Sequence, residues 1–424
     1  MSRGTGASRD APTGGTDTVR STMSRYLRSS APDEDAHASN LELFYDLVFV
    51  LAVTQVSHLL LDDLTWGGAG KSLLVLLVIW WAWTYTTWVT NMLDPDAIVV
   101  RLLVLSLMFG GLVMAVAIPD AFGSRALLFA GAYVAIQVGR TAFLAFVVAG
   151  RGSPERAPAT HILIWFVTSG VFWLAGGFAS GSSQITLWLI AIAIDYSAPL
   201  VFYRVPGRRQ LSPDSWDVET SHFAERFQLF IIIALGESIV VTGATTAGLT
   251  LDAARVAAFG LAFLSTAALW WLYFDFVASI AQRRLALAQE STRLARDAYT
   301  YLHVVIVAGI IVSAVGDEIV IAHPLDRLPT PELVALVAGP AIYLLGHVLF
   351  RLRMAGSLSW KRLAGAVACL AVGLAGAVAS ALVVASLLVA VLATVIGGET
   401  VASRRREGRG EASPLQRLEA DASL

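Results

Sequence analysis

The sequence predicts an all-α integral membrane protein of about twelve transmembrane helices, arranged as two parallel six-helix repeats with both termini in the cytoplasm. Three observations carry the prediction. The 424-residue chain is 56% hydrophobic and 15% charged, with a mean hydropathy of +0.67, whereas a soluble domain carries about 25% charge. Apolar runs of the roughly 20 residues that cross a bilayer recur along its length. Basic residues are sorted between alternate loops, so the net charge of -2 says little by itself. The single cysteine, Cys369, lies in an apolar run, which excludes an internal disulfide and a cysteine-based metal site.

Residues 1–36 are rich in Gly, Ser, Thr, Ala, Asp and Arg and should form a disordered cytoplasmic tail. No apolar segment precedes Leu41, so they do not read as a cleavable signal peptide. The first repeat, 37–210, holds spans at 41–61, 71–91, 98–118, 125–149, 160–179 and 185–203. The second, 211–399, holds spans at 223–246, 254–278, 299–321, 332–351, 362–380 and 381–397. The last two share one unbroken apolar run, Leu363–Gly397. As a single helix it would be about 52 Å long, too long for a core of roughly 30 Å, so a break near Ser380 is expected. A polar cytoplasmic tail, 400–424, opens with Arg404, Arg405 and Arg406.

Most of the 30 Lys and Arg residues fall in the two tails and in alternate loops. The opposite loops hold Lys71, Arg125, Arg255 and Arg327, while Arg140 and Arg226 lie within spans. By the positive-inside rule both tails are cytoplasmic and the span number is even, which twelve satisfies and ten would also.

The halves align span by span. Glu42-Leu43-Phe44 matches Glu225-Arg226-Phe227, and Trp80-Trp81 matches Trp270-Trp271. Gly139-Arg140 with Phe143 matches Gly346-His347 with Phe350, and the string at Leu174–Ser180 matches that at Leu374–Ser380. Six spans per copy put both copies in the same orientation, related by a pseudo-two-fold axis along the membrane normal. That arrangement suits a transporter with a pathway between halves and also a channel lined by equivalent helices.

Acids inside spans are expensive and point to function or to pairing. Glu42 and Asp46 open span 1 and share a face with Val50, Val53 and Ser57. They also complement the positive N-terminus of their helix. Glu225 and Arg226 open span 7 and form a candidate gate or inter-half network. Glu237 lies about 18 Å further along span 7, and Asp195 is expected near the middle of span 6. Asp275, His303, His347 and Asn91 fall at the same level as Glu42, and Arg140 lies deeper in span 4. Together they predict a polar vestibule open to the cytoplasm. Gly236 and Gly243 should let another backbone approach span 7. His37, His161 and His222 stand at span edges, where solvation is expected; His303 and His347 read as hydrogen-bonded packing residues. The tryptophans of span 2 read as packing and interface anchors. No His, Cys and acid spacing resembles a metal site, and no cofactor motif or nucleotide-binding loop is present.

The stretches Glu42–Leu60 and Glu225–Val240 resemble the two signatures of the bacterial low temperature requirement A family. Glu42, Phe44, Asp46 and Phe49 carry the first; Glu225, Arg226, Phe227, Gly236 and Glu237 carry the second. The resemblance covers 36–400 and implies a bacterial multi-pass membrane protein linked by name to growth in the cold, with no established activity to transfer. Phe44-Tyr45-Asp46 is also similar to the F-S-D first-helix motif of a potassium-channel family built from six-span repeats. Here Tyr45 replaces the serine, and the second copy, Phe227-Gln228-Leu229, has no acid.

The leading functional reading is a transporter of a small solute or ion, its pathway lined by spans 1 and 7, in the bacterial plasma membrane. A cation channel and an intramembrane sensor or enzyme linked to low-temperature growth stay open as alternatives. Expected partners are the bilayer and a small solute or cation; no nucleic acid is expected, and homodimerisation stays open.

Overall fold

The apolar runs of the sequence become a bundle of long helices. A computed structural model describes residues 26–27, 37–149, 156–211 and 218–422, and no strand occurs among them. The tail expected to be disordered lies outside the described residues except for Tyr26 and Leu27. In chain order the helices of the first half are α1 (Asn40–Asp62), α2 (Trp66–Met92), α3 (Ile98–Asp120), α4 (Ala126–Val148), α5 (Arg156–Phe178) and α6 (Gly181–Ser197). Those of the second are α7 (Thr220–Ala247), α8 (Ala253–Ala286), α9 (Ser291–Ala322), α10 (Thr330–Ala355), α11 (Trp360–Gly376) and α12 (Ala381–Gly408), followed by a short α13 (Pro414–Ala422).

Ten of these helices are long and apolar enough to cross a membrane, which makes this a multi-pass protein of the lipid bilayer. The other two apolar helices, α6 and α11, have 17 residues each, at the lower limit of the spanning range. The break expected near Ser380 is present: α11 ends at Gly376 and Ser380 is the N-cap of α12. Arg362 closes the open end of this hairpin, donating to both oxygens of Glu399 at 2.9 Å.

Three boundaries differ from the sequence expectation. Helix α6 ends at Ser197, not 203, because Pro199 has no N–H to continue the ladder. The chain instead turns through 198–203, with Phe202 and Tyr203 at φ 50° and 49°. Helices α8 and α9 extend past their apolar runs through π-helical turns at Phe274–Ala278 and Ala295–Leu302. The added segments are rich in Ala, Arg, Leu and Gln, which favour helix without needing an apolar setting.

The two halves use the same pairing scheme. In each, the first helix packs on the second and third, and the third on the fourth, the fourth on the fifth and the fifth on the sixth. Their surroundings differ. Helix α2 is enclosed by the bundle, so Trp80 and Trp81 are 1% and 0% exposed, whereas the aligned Trp270 and Trp271 are 47% and 48% exposed. Trp80 also donates to the Thr300 carbonyl at 2.7 Å and Trp88 to its hydroxyl at 3.0 Å, tying α2 to the wide turn of α9.

Helices α9 and α10 are the closest pair. A side chain at Gly339 would place its Cβ 2.5 Å from the Ser313 nitrogen, and one at Gly316 would stand 2.9 Å from the Leu336 Cα. The glycines expected to admit a neighbouring backbone, Gly236 and Gly243, have nothing within 4 Å of an added Cβ. The close approach falls on α9 and α10 because α7 meets its neighbours through larger side chains, including Phe223, Phe227 and Phe230.

Helices α1 and α7 lie side by side and run in the same direction, meeting near Glu42 and His222 at one end and at Thr54 and Glu237 further along. The site is built on this seam.

Candidate functional site

Ser39 starts the site by capping α1. Its hydroxyl accepts from the Glu42 N–H at 3.3 Å, and the Glu42 carboxylate accepts from the Ser39 N–H at 2.9 Å. This capping box fixes Glu42 at the first turn. On α7, Glu219 is the N-cap, accepting from the Ser221 and His222 N–H groups at 3.1 and 2.5 Å. Asn91, at the end of α2, clasps the Glu219 backbone: its amide donates to the carbonyl and its oxygen accepts from the N–H, both at 2.9 Å. Its amide also lies 3.1 Å from His222 Nδ1. Because the Asn91 oxygen is committed to Glu219, Nδ1 accepts and Nε2 is left to face Glu42.

These caps bring four ionisable side chains together out of reach of solvent. Arg226 Nη1 pairs with Glu42 Oε1 at 3.0 Å, and Nη2 donates to Asp46 Oδ1 at 2.6 Å. His222 Nε2 meets Glu42 Oε2 at 3.0 Å. Trp83 Nε1 donates to Asp46 Oδ1 at 2.8 Å, while Asp46 Oδ2 has no hydrogen-bond partner among the described residues. Glu42 is 2% exposed, and Asp46, His222 and Arg226 are 0%. The expected open vestibule is therefore a closed cluster. His222, expected to be solvated, is one of its members, and His161 is buried as well. Packing of the halves against one another removes His222 from water, whereas His161 lies beside Tyr203 of the first half. Only His37 is solvated as expected.

Glu225 does not pair with Arg226. A step of one residue turns it about 100° around α7, where it meets His37 Nδ1 at 3.3 Å and accepts from the Ala38 N–H at 3.1 Å. Further along the seam Glu237 is buried and accepts from the Thr54 hydroxyl at 2.5 Å. These two positions are 183 residues apart, as are Glu42 and Glu225.

The remaining candidates stand apart from the cluster. Asp195 is buried near the end of α6 rather than mid-span, because α6 stops early; it accepts from Tyr133 at 2.8 Å and Trp173 at 3.0 Å. Gln137 donates to Tyr133 at 3.0 Å and is in turn bonded to Arg140, so a polar chain runs from Arg140 to Asp195. Arg140 otherwise donates to Thr86 at 3.1 Å and lies 5.4 Å from the Tyr85 ring centre. His303 is bonded to Tyr273 at 2.9 Å and stacks on Tyr299. His347 has no hydrogen-bond partner among the described residues, against expectation; Tyr273 and Tyr343 cover its ring edge-on. Asp275 lies on the outside of the bundle with Trp271 at 3.2 Å.

A larger cavity, about 810 Å³ with its open mouth, lies elsewhere, between α2, α4, α5, the 198–203 turn and α9. Tyr85, Trp88, Phe202, Tyr203, Arg293 and Arg296 line it, and none of the predicted site residues does. Burial pushes the Tyr203 hydroxyl well above its ordinary range, and it is bonded to Tyr85. The polar cluster and the cavity are thus separate. Two carboxylates share one guanidinium in the cluster, and the set ties α1 to α7. Sequence reasoning missed His222 and Thr54, whose contacts depend on how the halves dock, and Trp83, which reaches Asp46 within the first half.

The family described as bacterial low temperature requirement A protein (LtrA) matches residues 37–397. An uncharacterized protein of Rhizobium meliloti (strain 1021) is 38% identical over 326 residues, covering 76% of this chain and 78% of the relative. No solved structure matches.

Proposed function

The chain belongs to the bacterial low temperature requirement A family, and on that premise we propose that it is a transporter of a small solute or ion whose pathway follows the seam between α1 and α7. The carrying observation is the buried cluster of Glu42, Asp46, His222 and Arg226, which joins the two signature helices at one end of that seam. It acts as the closed gate. Glu237, buried deeper in the same seam, is the coupling carboxyl. An acid placed at that depth is costly in a bilayer and marks a solute or proton path.

The proposal includes twelve spans, counting α6 and α11, in parallel repeats at 37–210 and 211–399. Both tails face the cytoplasm across the bacterial plasma membrane. Shared direction of α1 and α7 and the common pairing scheme of the halves support the parallel repeat. Transport then proceeds by rocking of one half against the other around the seam.

The test starts from ions and metabolites that raise the unfolding temperature of the purified protein. Reconstituted protein is expected to carry such a ligand in saturable counterflow. Glu237→Gln is expected to fold and insert but lose flux. Undiminished flux in that variant removes Glu237 from the mechanism, and unsaturable current with single-channel events identifies a channel instead.

A further inference from the structure

Away from the seam, one buried carboxyl of α9 has no hydrogen-bond partner among the described residues. Asp317 makes no hydrogen bond or ion pair among the described residues and is 7% exposed. Its neighbour Glu318 turns toward α7, accepting from Thr245 at 3.1 Å. Asp317 lines a small cavity enclosed by α8, α9, α10 and α12, of about 280 Å³ including its opening.

Two hydroxyl oxygens join Asp317 in an otherwise aliphatic lining. Ser265 comes from α8 and Ser313 from α9. The Ser313 hydroxyl spends its proton on the Gly309 carbonyl at 2.8 Å, which leaves its lone pairs for a positive partner. Pro340 lies inside α10 and has no N–H to give, so the carbonyl four residues back, that of Leu336, has lost its helical donor. Leu336 and Pro340 both line the cavity. Apart from Asp317, every lining residue is uncharged: Leu261 and Ser265 from α8, Leu336 and Pro340 from α10, and aliphatic residues from α12.

A carboxylate buried with no donor needs a counter-charge. We propose that Asp317, with the Ser265 and Ser313 hydroxyls and the Leu336 carbonyl, forms a site for a monovalent cation of sodium's size, taken up in exchange for the carboxyl proton. One carboxylate in a cavity this small does not supply the six to eight oxygens of a calcium site. Unwound or interrupted helices in membranes present free carbonyls to sodium in the same way. The exchange balances: the carboxyl O–H bond breaks, the proton leaves to water, and the cation takes its place on the carboxylate. Binding stands independently of the transport proposal, since it is read without any flux.

Full-length protein in micelles is unfolded thermally as NaCl replaces choline chloride at constant ionic strength, with KCl as a parallel series. The unfolding temperature of the wild type is expected to rise with sodium by mass action, more than with potassium. In weakly buffered solution, sodium addition should release protons. Asp317→Asn should abolish both responses, and Ser313→Ala should weaken the sodium response if the Asn variant fails to fold. No sodium-specific rise in the wild type, or an equal rise in Asp317→Asn or, where that variant does not fold, in Ser313→Ala, overturns the site. A protein that binds sodium but carries no solute refutes the transport proposal and leaves this one standing.

Discussion

Arg226 is the residue on which the seam depends. Its guanidinium is the shared partner of Glu42 and Asp46, all of them buried. Removing one partner from a buried ionic set costs about 3–5 kcal/mol, because the remaining charge stays buried and unpaired. Arg226→Gln is therefore expected to lower the thermal unfolding temperature of the purified protein sharply. Asp46→Asn should cost less, since Arg226 keeps Glu42. The double variant should recover part of the Arg226→Gln loss, giving a non-additive cycle; additive losses would show that the pair does not interact. Glu42, Asp46 and Arg226 were legible in the sequence because charges inside an apolar run need a reason. His222 was not, because a histidine next to a cap looks solvated until the other half covers it. Asp317 was not either, since its place along α9 does not reveal that it faces a cavity rather than Thr245.

Helices carry a second set of consequences. Apolar length located the ten helices long enough to cross a membrane, along with the shorter α6 and α11, and the break at Ser380 followed from the limit that bilayer thickness places on one helix. Helix ends were less legible where polar helix formers extend α8 and α9 or where Pro199 stops α6. Glycine roles were misplaced, because a small residue permits close approach only if a neighbour comes to it. The structure separates the two cases. Gly339→Leu drives a side chain into the Ser313 backbone, which cannot yield as a flexible side chain would; overpacking of this kind costs about 1–3 kcal/mol or more. Gly236→Ala and Gly243→Ala meet open space and are expected to stabilise α7 by about 0.5–1 kcal/mol through helix propensity. Thermal unfolding of these variants should thus move in opposite directions, and a loss at all three positions would contradict the packing described for α7.

At the scale of the whole molecule, the halves proposed as repeats have unequal environments. The first half's α2 is enclosed while the aligned α8 faces outward, and α9 packs inside the bundle against α1, α7 and α10. Sequence alignment of the halves matches positions but does not say which half occupies the centre. The transport proposal requires the two halves, which meet through the buried ionic cluster, to separate at one end of the seam without unfolding. The direct test is side-specific labelling. Val53 is buried on the face of α1 that carries Glu42 and Asp46. With Cys369→Ala as background, Val53→Cys should resist a membrane-impermeant thiol reagent applied from the side of the cluster. Adding Asp46→Asn should raise its labelling rate from that side about tenfold or more, equivalent to about 1.4 kcal/mol in the opening equilibrium. Equal protection with and without Asp46, in variants that remain folded, would contradict the cluster's role as a gate.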